Sequence, residues 1–278
     1  MAEQKHRLDT LLVEKGLAET REKARRLILA GRVIVSGISN PKPGMRVPLD
    51  IQIEMKAPFR FVSRGGCKLA AALDEFRIHP GGWTCLDVGA STGGFTDCLL
   101  QEDARKVYAV DVGYGQFHYR LRNHPRVVLL ERVNARYLSR KQVPEPVDLA
   151  VVDVSFISLR LILPPVYDLL SPEGTALVLV KPQFEAGRDR VPRGGVIRDR
   201  AVHHEVLENL IGEWKQGGWE VLGIVPSTVP GVSGNREYFA RLVRNREGET
   251  SWRSETIKLE DVVSRAFAIP ERPGGDPV

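Results

Sequence analysis

Trp83-Thr-Cys-Leu-Asp-Val-Gly-Ala-Ser-Thr-Gly-Gly-Phe-Thr-Asp-Cys-Leu-Leu100 decides the reading of this chain. A short apolar run ends at Val88 and is closed by Gly89. A glycine-rich turn follows (Gly89, Gly93, Gly94), and a helical pattern begins at Phe95. Strand, tight turn and helix N-terminus in that order open a nucleotide-binding α/β sheet. Glycines let the backbone turn sharply and approach a ligand, and the helix end presents free N–H groups to it. A second apolar run, Lys106-Val-Tyr-Ala-Val-Asp111, ends on an acid about 20 residues further on, where a ribose diol is held in such sheets. The turn departs from G-x-G-x-x-G because Ser91 stands at the second glycine position. A pyrophosphate needs the backbone that close, whereas the amino and carboxylate groups of a methionine moiety need less. The departure favours S-adenosylmethionine over a dinucleotide.

Working outward, strands are expected at 84–88, 106–111, 126–130, 147–153, 174–181, 219–225 and 237–243. Helical patterns fall between them, as at 158–170 and 200–217, and a last helix is expected at 256–268. This alternation predicts a mainly parallel sheet covered on both faces. A helix from Lys68 to Phe76 precedes the first strand. With 278 residues and 42% apolar content, the chain holds one large or two modest domains with a sizeable core. No run of about 18 apolar residues suggests a transmembrane helix, and no apolar signal region opens the chain, so a cytoplasmic protein is expected. Cys67, Cys85 and Cys98 lack metal-type spacing and read as reduced thiols. His203-His204 has no ligand partners at metal spacing and reads as an ordinary helix face, so no metal is expected.

The net charge of +5 is unevenly placed. Residues 1–60 hold 12 Lys and Arg against 7 acids, so the whole excess lies there. That asymmetry fits a basic module for a polyanion joined to a neutral, larger domain, or else a solvated basic helix face. In this module a first helix carries Leu8, Leu11 and Leu12. A second, Arg21 to Ala30, is capped by Thr20 and ended by Gly31. Val33-Ile34-Val35 and Leu49 to Met55 read as strands.

At the carboxyl ends of the expected strands stand Asp153 and Lys181, with Glu237 opening the last strand and Lys68 in the helix before the first. Ligands bind outside that edge. A lysine directly after four apolar strand residues either pairs with Asp153 as a structural salt bridge or, with its pKa lowered by burial and a second lysine, takes a proton near neutral pH.

Arg7-Leu-Asp9 and Ala24-Arg-Arg-Leu-Ile-Leu-Ala-Gly-Arg-Val-Ile-Val-Ser-Gly37 resemble the RNA-binding domain named after ribosomal protein S-four. That resemblance implies Arg7, Arg21, Lys23, Arg25, Arg26 and Arg32 as RNA contacts, with Arg64 beside them. Lys68, Asp153, Lys181 and Glu237 match in order the Lys-Asp-Lys-Glu set of FtsJ-like ribose 2'-O-methyltransferases. With Val62-Ser-Arg-Gly, Asp111-Val-Gly-Tyr-Gly-Gln116, Asp153-Val-Ser-Phe-Ile-Ser-Leu159, Val180-Lys-Pro-Gln-Phe-Glu185 and Ser233-Gly-Asn-Arg-Glu-Tyr-Phe239, the chain resembles the TlyA (hemolysin A) family.

The resemblance implies a Rossmann-like class I methyltransferase domain at 67–268, a small α+β RNA-binding domain at 1–58, a linker at 59–66 and a disordered tail at 269–278. It implies 2'-O-methylation of cytidine in 16S and/or 23S rRNA within 30S and/or 50S subunits, with Lys181 as base or orienter and Lys68, Asp153 and Glu237 assisting. Asp87, Gly89, Ala90, Ser91, Thr92, Gly93, Gly94, Phe95, Asp111, Asn134 and Asp153 would hold S-adenosylmethionine. The linker departs from some members, with Phe61 where they carry Trp. No membrane partner is expected, and a monomer is favoured. The alternatives are a non-catalytic RNA-binding protein and, last, a membrane-lysing hemolysin.

Overall fold

The computed structural model describes residues 5–29, 31–55, 60–231, 234–245 and 257–270. Phe59, Ser233 and the tail beyond Pro270 lie outside them. The chain divides at Phe59/Arg60 into two compact units.

In the first unit, β1 (Lys5–Arg7) runs antiparallel to β3 (Arg46–Pro48), and β2 (Val33–Val35) antiparallel to β4 (Ile53–Met55). Between them lie α1 (Leu8–Glu14) and α2 (Arg21–Leu29). Leu8, Leu11 and Leu12 meet Ala24, Ile28, Val33, Val35 and Val47 in one apolar core. Thr20 Oγ1 accepts the Lys23 N–H at 3.2 Å, and Gly31, at φ +63°, lets Arg32 N–H close the helix end on the Leu27 carbonyl. The expected strand from Leu49 begins only at Ile53. Leu49 and Asp50 form a turn with Leu49 exposed, and the residues before it pair with β1 instead.

The second unit is a seven-stranded sheet. Its strands are β5 (Thr84–Val88), β6 (Lys106–Asp111), β7 (Val127–Glu131), β8 (Val147–Val152), β9 (Leu170–Val180), β10 (Trp219–Pro226) and β11 (Tyr238–Arg244), in the order β10-β11-β9-β8-β5-β6-β7. β11 runs antiparallel to both its neighbours, and the described pairings among β5 to β9 are parallel. Alternate residues of one strand serve opposite faces: Leu86 and Val88 join one core cluster, Cys85 the other. Both faces are covered, which is why β5 is buried along its whole length.

The helices are α3 (Arg64–Glu75), α4 (Gly94–Gln101), α5 (Tyr119–Arg122), α6 (Leu163–Leu169), α7 (Pro182–Glu185), α8 (Arg200–Gln216) and α9 (Leu259–Ala268). Two depart from the sequence reading. α3 starts four residues before Lys68, because Gly65 and Gly66 bring its first turn against Phe61 and Phe95; a Cβ on Gly66 would land on the Phe61 ring. The helix expected at 158–170 is split into a 3-10 turn, Leu159–Leu161, and α6. Pro164 and Pro165 have no N–H to give and stand in a first turn, so the helix restarts there. Phe61 is only 3% exposed, Val62 N–H donates to Asp97 at 2.8 Å, and Arg60 pairs with Glu102 at 3.0 Å.

One carboxylate dominates the first unit electrostatically. Asp9 is fully buried and is held by Arg7 at 2.9 Å and Arg21 at 3.2 Å. Hydrogen bonding from Arg7, seconded by Arg21, brings its pKa down to about 2. A carboxyl with a depressed folded pKa stabilises fully above its unfolded value and loses that contribution as pH falls through the folded one. Asp9→Asn is therefore expected to lower stability by about 1–2 kcal/mol at pH 7, a figure reduced for the half-exposed arginines, and the deficit should vanish between about pH 4 and 2. Urea midpoints of both chains at pH 7, 4 and 2.5 check this; a deficit constant with pH would contradict it.

Candidate active site

The carboxyl edge of the parallel strands carries a cavity of about 490 Å³, within the range of small-molecule sites. Its wall begins at the turn after β5. Gly89 sits at φ +87°, and a Cβ there would land on the Asp153 carbonyl oxygen, so only glycine lets the ends of β5 and β8 come this close. Asp111, at the end of β6, reaches back across the turn. Its Oδ2 accepts Ser91 N–H at 2.7 Å and its Oδ1 accepts Gly113 N–H at 2.6 Å. Two backbone donors thus fix the carboxylate while it lines the cavity.

Of the residues expected at a cofactor, Gly89, Ser91, Asp111, Asn134 and Asp153 line this cavity. Asn134 also caps the 3-10 turn at Ala135–Tyr137, accepting Arg136 N–H at 3.1 Å. Asp87, Ala90, Thr92, Gly93, Gly94 and Phe95 do not line it. Ala90 and Phe95 are buried, Thr92 is exposed, and Gly93 and Gly94 carry the close approach of α4 to Leu121, Phe117 and Ser63. Asp87 stands behind the turn, fully buried. One of its oxygens accepts Thr96 Oγ1–H at 2.6 Å, and the other is without a hydrogen-bond partner. Burial, partly offset by Thr96, pushes its pKa up to about 7.

The four tetrad residues form two tight pairs. Lys181 Nζ lies 2.6 Å from Asp153 Oδ1 and donates to Ser155 Oγ at 2.8 Å. Lys68 Nζ lies 2.6 Å from Glu237 Oε2. All four side chains are at least three-quarters buried. Strand register brings the pairs to one place: Tyr238 opposes Val180, so Glu237 and Lys181 are the next residues at the same end of neighbouring antiparallel strands. Gly231 packs so closely on the Glu237 carboxylate that a Cβ there would displace it. The salt-bridge reading of Lys181 and Asp153 is therefore realised, and in the same place as the chemical one.

Sequence reasoning missed much of the rim. Phe156 follows Ser155, is 91% exposed with φ +62°, and has Phe184 at 5.0 Å. Gln116, Val133, Arg136 and Ile157 complete the wall. A lone phenylalanine inside an apolar motif gives no hint of exposure. His203 is a correction. It is no plain helix face but fully buried, with Nε2 3.0 Å from the Ile197 carbonyl and Nδ1 2.8 Å from the Tyr238 hydroxyl. The carbonyl can only accept, so Nε2 carries the proton and Tyr238 donates to Nδ1. His204 instead faces Glu260 at 3.2 Å. No group of residues fit to hold a metal ion occurs among the described residues.

The expected RNA contacts divide. Arg7 and Arg21 are engaged by Asp9, and Lys23 pairs with Glu19 at 2.9 Å. Arg25 and Arg26 are exposed and Arg32 half-buried. In the second unit, Arg64 donates to the Pro230 carbonyl at 3.2 Å.

Residues 61–244 match the FtsJ-like methyltransferase family and residues 6–50 the S4 domain. The chain belongs to the FtsJ-like methyltransferases, in the TlyA group. It is 42% identical to the 16S/23S rRNA (cytidine-2'-O)-methyltransferase TlyA of Mycobacterium tuberculosis, over 94% of this chain and 97% of that one. It is 45% identical to YqxC of Bacillus subtilis, a proposed rRNA methyltransferase, over 96% and 95%. A solved structure of a proposed hemolysin from Streptococcus thermophilus superposes with a TM-score of 0.70 at 38% identity, covering 96% of this chain and 97% of that one. The protein is thus a methyltransferase enzyme of this family, with the seven-stranded sheet that its strand alternation predicts.

Asp87 supplies a test of the site's electrostatics. Its raised pKa means that the folded chain holds the proton more tightly than the unfolded one, so stability falls as pH rises from about 4 to about 7. Asp87→Asn is expected to flatten that slope, which amounts to roughly 2–4 kcal/mol over the interval. Equal slopes for both chains in urea titrations at pH 5, 6, 7 and 8 would contradict the assignment.

Proposed function

We infer that the chain methylates the ribose 2'-hydroxyl of cytidine in 16S and/or 23S rRNA, using S-adenosylmethionine. The observation that carries this reading is the Lys181–Asp153 pair beside the cavity, with Lys68–Glu237 beside it at the same strand edge. The S4-type unit and the activity named for the relatives supply the substrate class.

The residues present fit the cofactor. Asp111, braced by two N–H groups, suits a ribose diol; Asn134 and its neighbours suit the adenine side; the side-chain-free turn at Gly89 suits the methionine end. The cofactor, when bound, supplies a methyl group on a sulfonium sulfur. Lys181 has three N–H donors; one goes to Ser155 Oγ, while Asp153 Oδ1 lies 2.6 Å away as an ion-pair partner that accepts no hydrogen bond. Donor capacity is left for the ribose oxygen, which favours an orienting role over that of a base. Asp153 would fix the ammonium, Lys68 and Glu237 would form the adjoining wall, and the ribose hydroxyl would be held so that its proton can leave for solvent as the sulfonium's S–C bond gives way to the new O–C bond. Catalysis here is mostly the alignment of two reactants. Phe156 offers an exposed ring face at the mouth, where a base can stack. None of the described helices is long and apolar enough to cross a membrane, and a cytoplasmic enzyme follows from the rRNA substrate.

Lys181→Ala is expected to lower kcat by roughly 10²- to 10⁴-fold while cofactor affinity stays within about threefold. Removing one partner of a buried pair costs stability, so a thermal melt accompanies the assay, and Lys181→Gln serves as a second variant of similar size. Full activity in a folded variant would overturn the role. Phe156→Ala is expected to reduce kcat/KM for RNA by about tenfold or more, from lost stacking. Steady-state kinetics with varied RNA check this, and an unchanged kcat/KM would refute it.

A further inference from the structure

Beyond β9 the chain carries a basic strap that neither the tetrad nor the cofactor cavity uses. Gly187 to Arg200 holds five arginines and two acids, Asp189 and Asp199. Asp199 is spent on the N-cap of α8, accepting Ala201 N–H at 2.9 Å, and Arg190 is paired with Glu205 at 2.5 Å. Arg200 lies over the Phe267 ring. Arg188, Arg193 and Arg198 are exposed and have no ion-pair or hydrogen-bond partner among the described residues.

The strap is fixed, and fixed beside the tetrad. It leaves α7 six residues after Lys181. Glu185, at the end of α7, accepts Ser158 Oγ–H at 2.7 Å and Leu159 N–H at 2.9 Å, which ties α7 to the loop after Asp153. The middle of the strap is held by Asn235, two residues before Glu237: its side-chain amide donates to the Gly195 carbonyl at 2.9 Å and accepts Ile197 N–H at 3.4 Å. Ile197 is buried in the main core, and its carbonyl takes the His203 Nε2–H bond. Arg193 and Arg198 therefore flank a segment anchored to the loop that carries Glu237 into β11. Between them lies a shallow basin of about 410 Å³, lined by Pro192, Arg193, Gly194, Val196, Arg198 and Asp199.

Guanidinium groups without partners among the described residues, on a segment anchored to the loops that carry Asp153 and Glu237, match phosphate oxygens in charge and in donor geometry. We propose that Arg188, Arg193 and Arg198 form a phosphate-binding lip on the catalytic unit that holds the RNA strand across Lys181. This rests on the RNA-methylating reading above and adds a second cationic contact surface for RNA to that of the S4-type unit. Contacts of this kind position a strand without reading its bases, so the lip serves any single-stranded RNA alike. The chemistry is also that of an anionic lipid surface, but the lip's place beside the tetrad favours RNA.

The test uses the full chain with all three arginines changed to Gln: Arg188→Gln, Arg193→Gln and Arg198→Gln. Binding to deproteinised rRNA and to poly(U) is measured from 50 to about 300 mM salt, with S-adenosylmethionine affinity by calorimetry and methyl transfer alongside. Each lost phosphate contact takes about 0.7 from the slope of log K against log salt for single strands. The slope should become shallower by about 2, with affinity down tenfold or more for both RNAs, cofactor affinity unchanged, and methyl transfer lowered mainly through KM for RNA. A control with Lys141→Gln and Lys215→Gln, on the segments leading into β8 and β10 at the opposite edge of the sheet, should leave the slope unchanged. An unchanged slope in the triple variant, or an equal loss in the control, would overturn the lip. So would loss of binding to phosphatidylserine vesicles with RNA binding intact. If the unaltered chain binds RNA through these arginines yet methylates none, the lip stands and the proposed function falls; if methylation and RNA binding both survive the triple change, the reverse holds.

Discussion

The site depends on the ion pair between Lys181 and Asp153. At 2.6 Å and largely out of water, the two charges neutralise each other where either alone would be costly to bury. Neither residue reaches this place by itself. Asp153 is set by the end of β8 lying against Gly89, a contact that any Cβ would block. Lys181 is set by β9, whose register carries it one step past Val180, the partner of Tyr238, and three past Val178, the partner of Val152. The second pair, Lys68–Glu237, follows from the single antiparallel strand, because only a chain running the other way begins where its neighbours end. A purely parallel sheet would bring strand ends alone to this edge.

The cavity and the tetrad are consequences of the same edge. The turn after β5 serves both: Ser91 N–H grips Asp111 on one side, while Gly89 admits Asp153 on the other. A substitution in this turn disturbs the cavity wall and the lysine pair together. Asp87 extends the coupling inward, since its buried carboxyl lies under the turn, bonded to α4 through Thr96.

Much of this was legible in the sequence for physical reasons. β5, β6 and β8 are buried on both faces and therefore read as continuous apolar runs between glycines and acids. Lys181 is conspicuous as a lysine directly after such a run. What was not legible depends on partners distant in the chain. Arg7 and Arg21 look like free RNA contacts until the fold brings both onto Asp9. His203 looks like half of a solvated pair until α8 packs it against Tyr238 and Ile197. The exposure of Phe156 comes from a positive φ in the loop after Asp153, which nothing in Val154-Ser-Phe156 signals. The early start of α3 was hidden because Gly65 and Gly66 read as a linker, whereas tight packing on Phe61 is what they serve.

The most direct measurement supplies purified chain and methyl-labelled S-adenosylmethionine with unmethylated 30S and 50S subunits, then locates the label by nuclease mapping and mass spectrometry. The account predicts label on the 2'-oxygen of a cytidine ribose in one or both subunits. Label on a base, or none with the cofactor demonstrably bound, would contradict it.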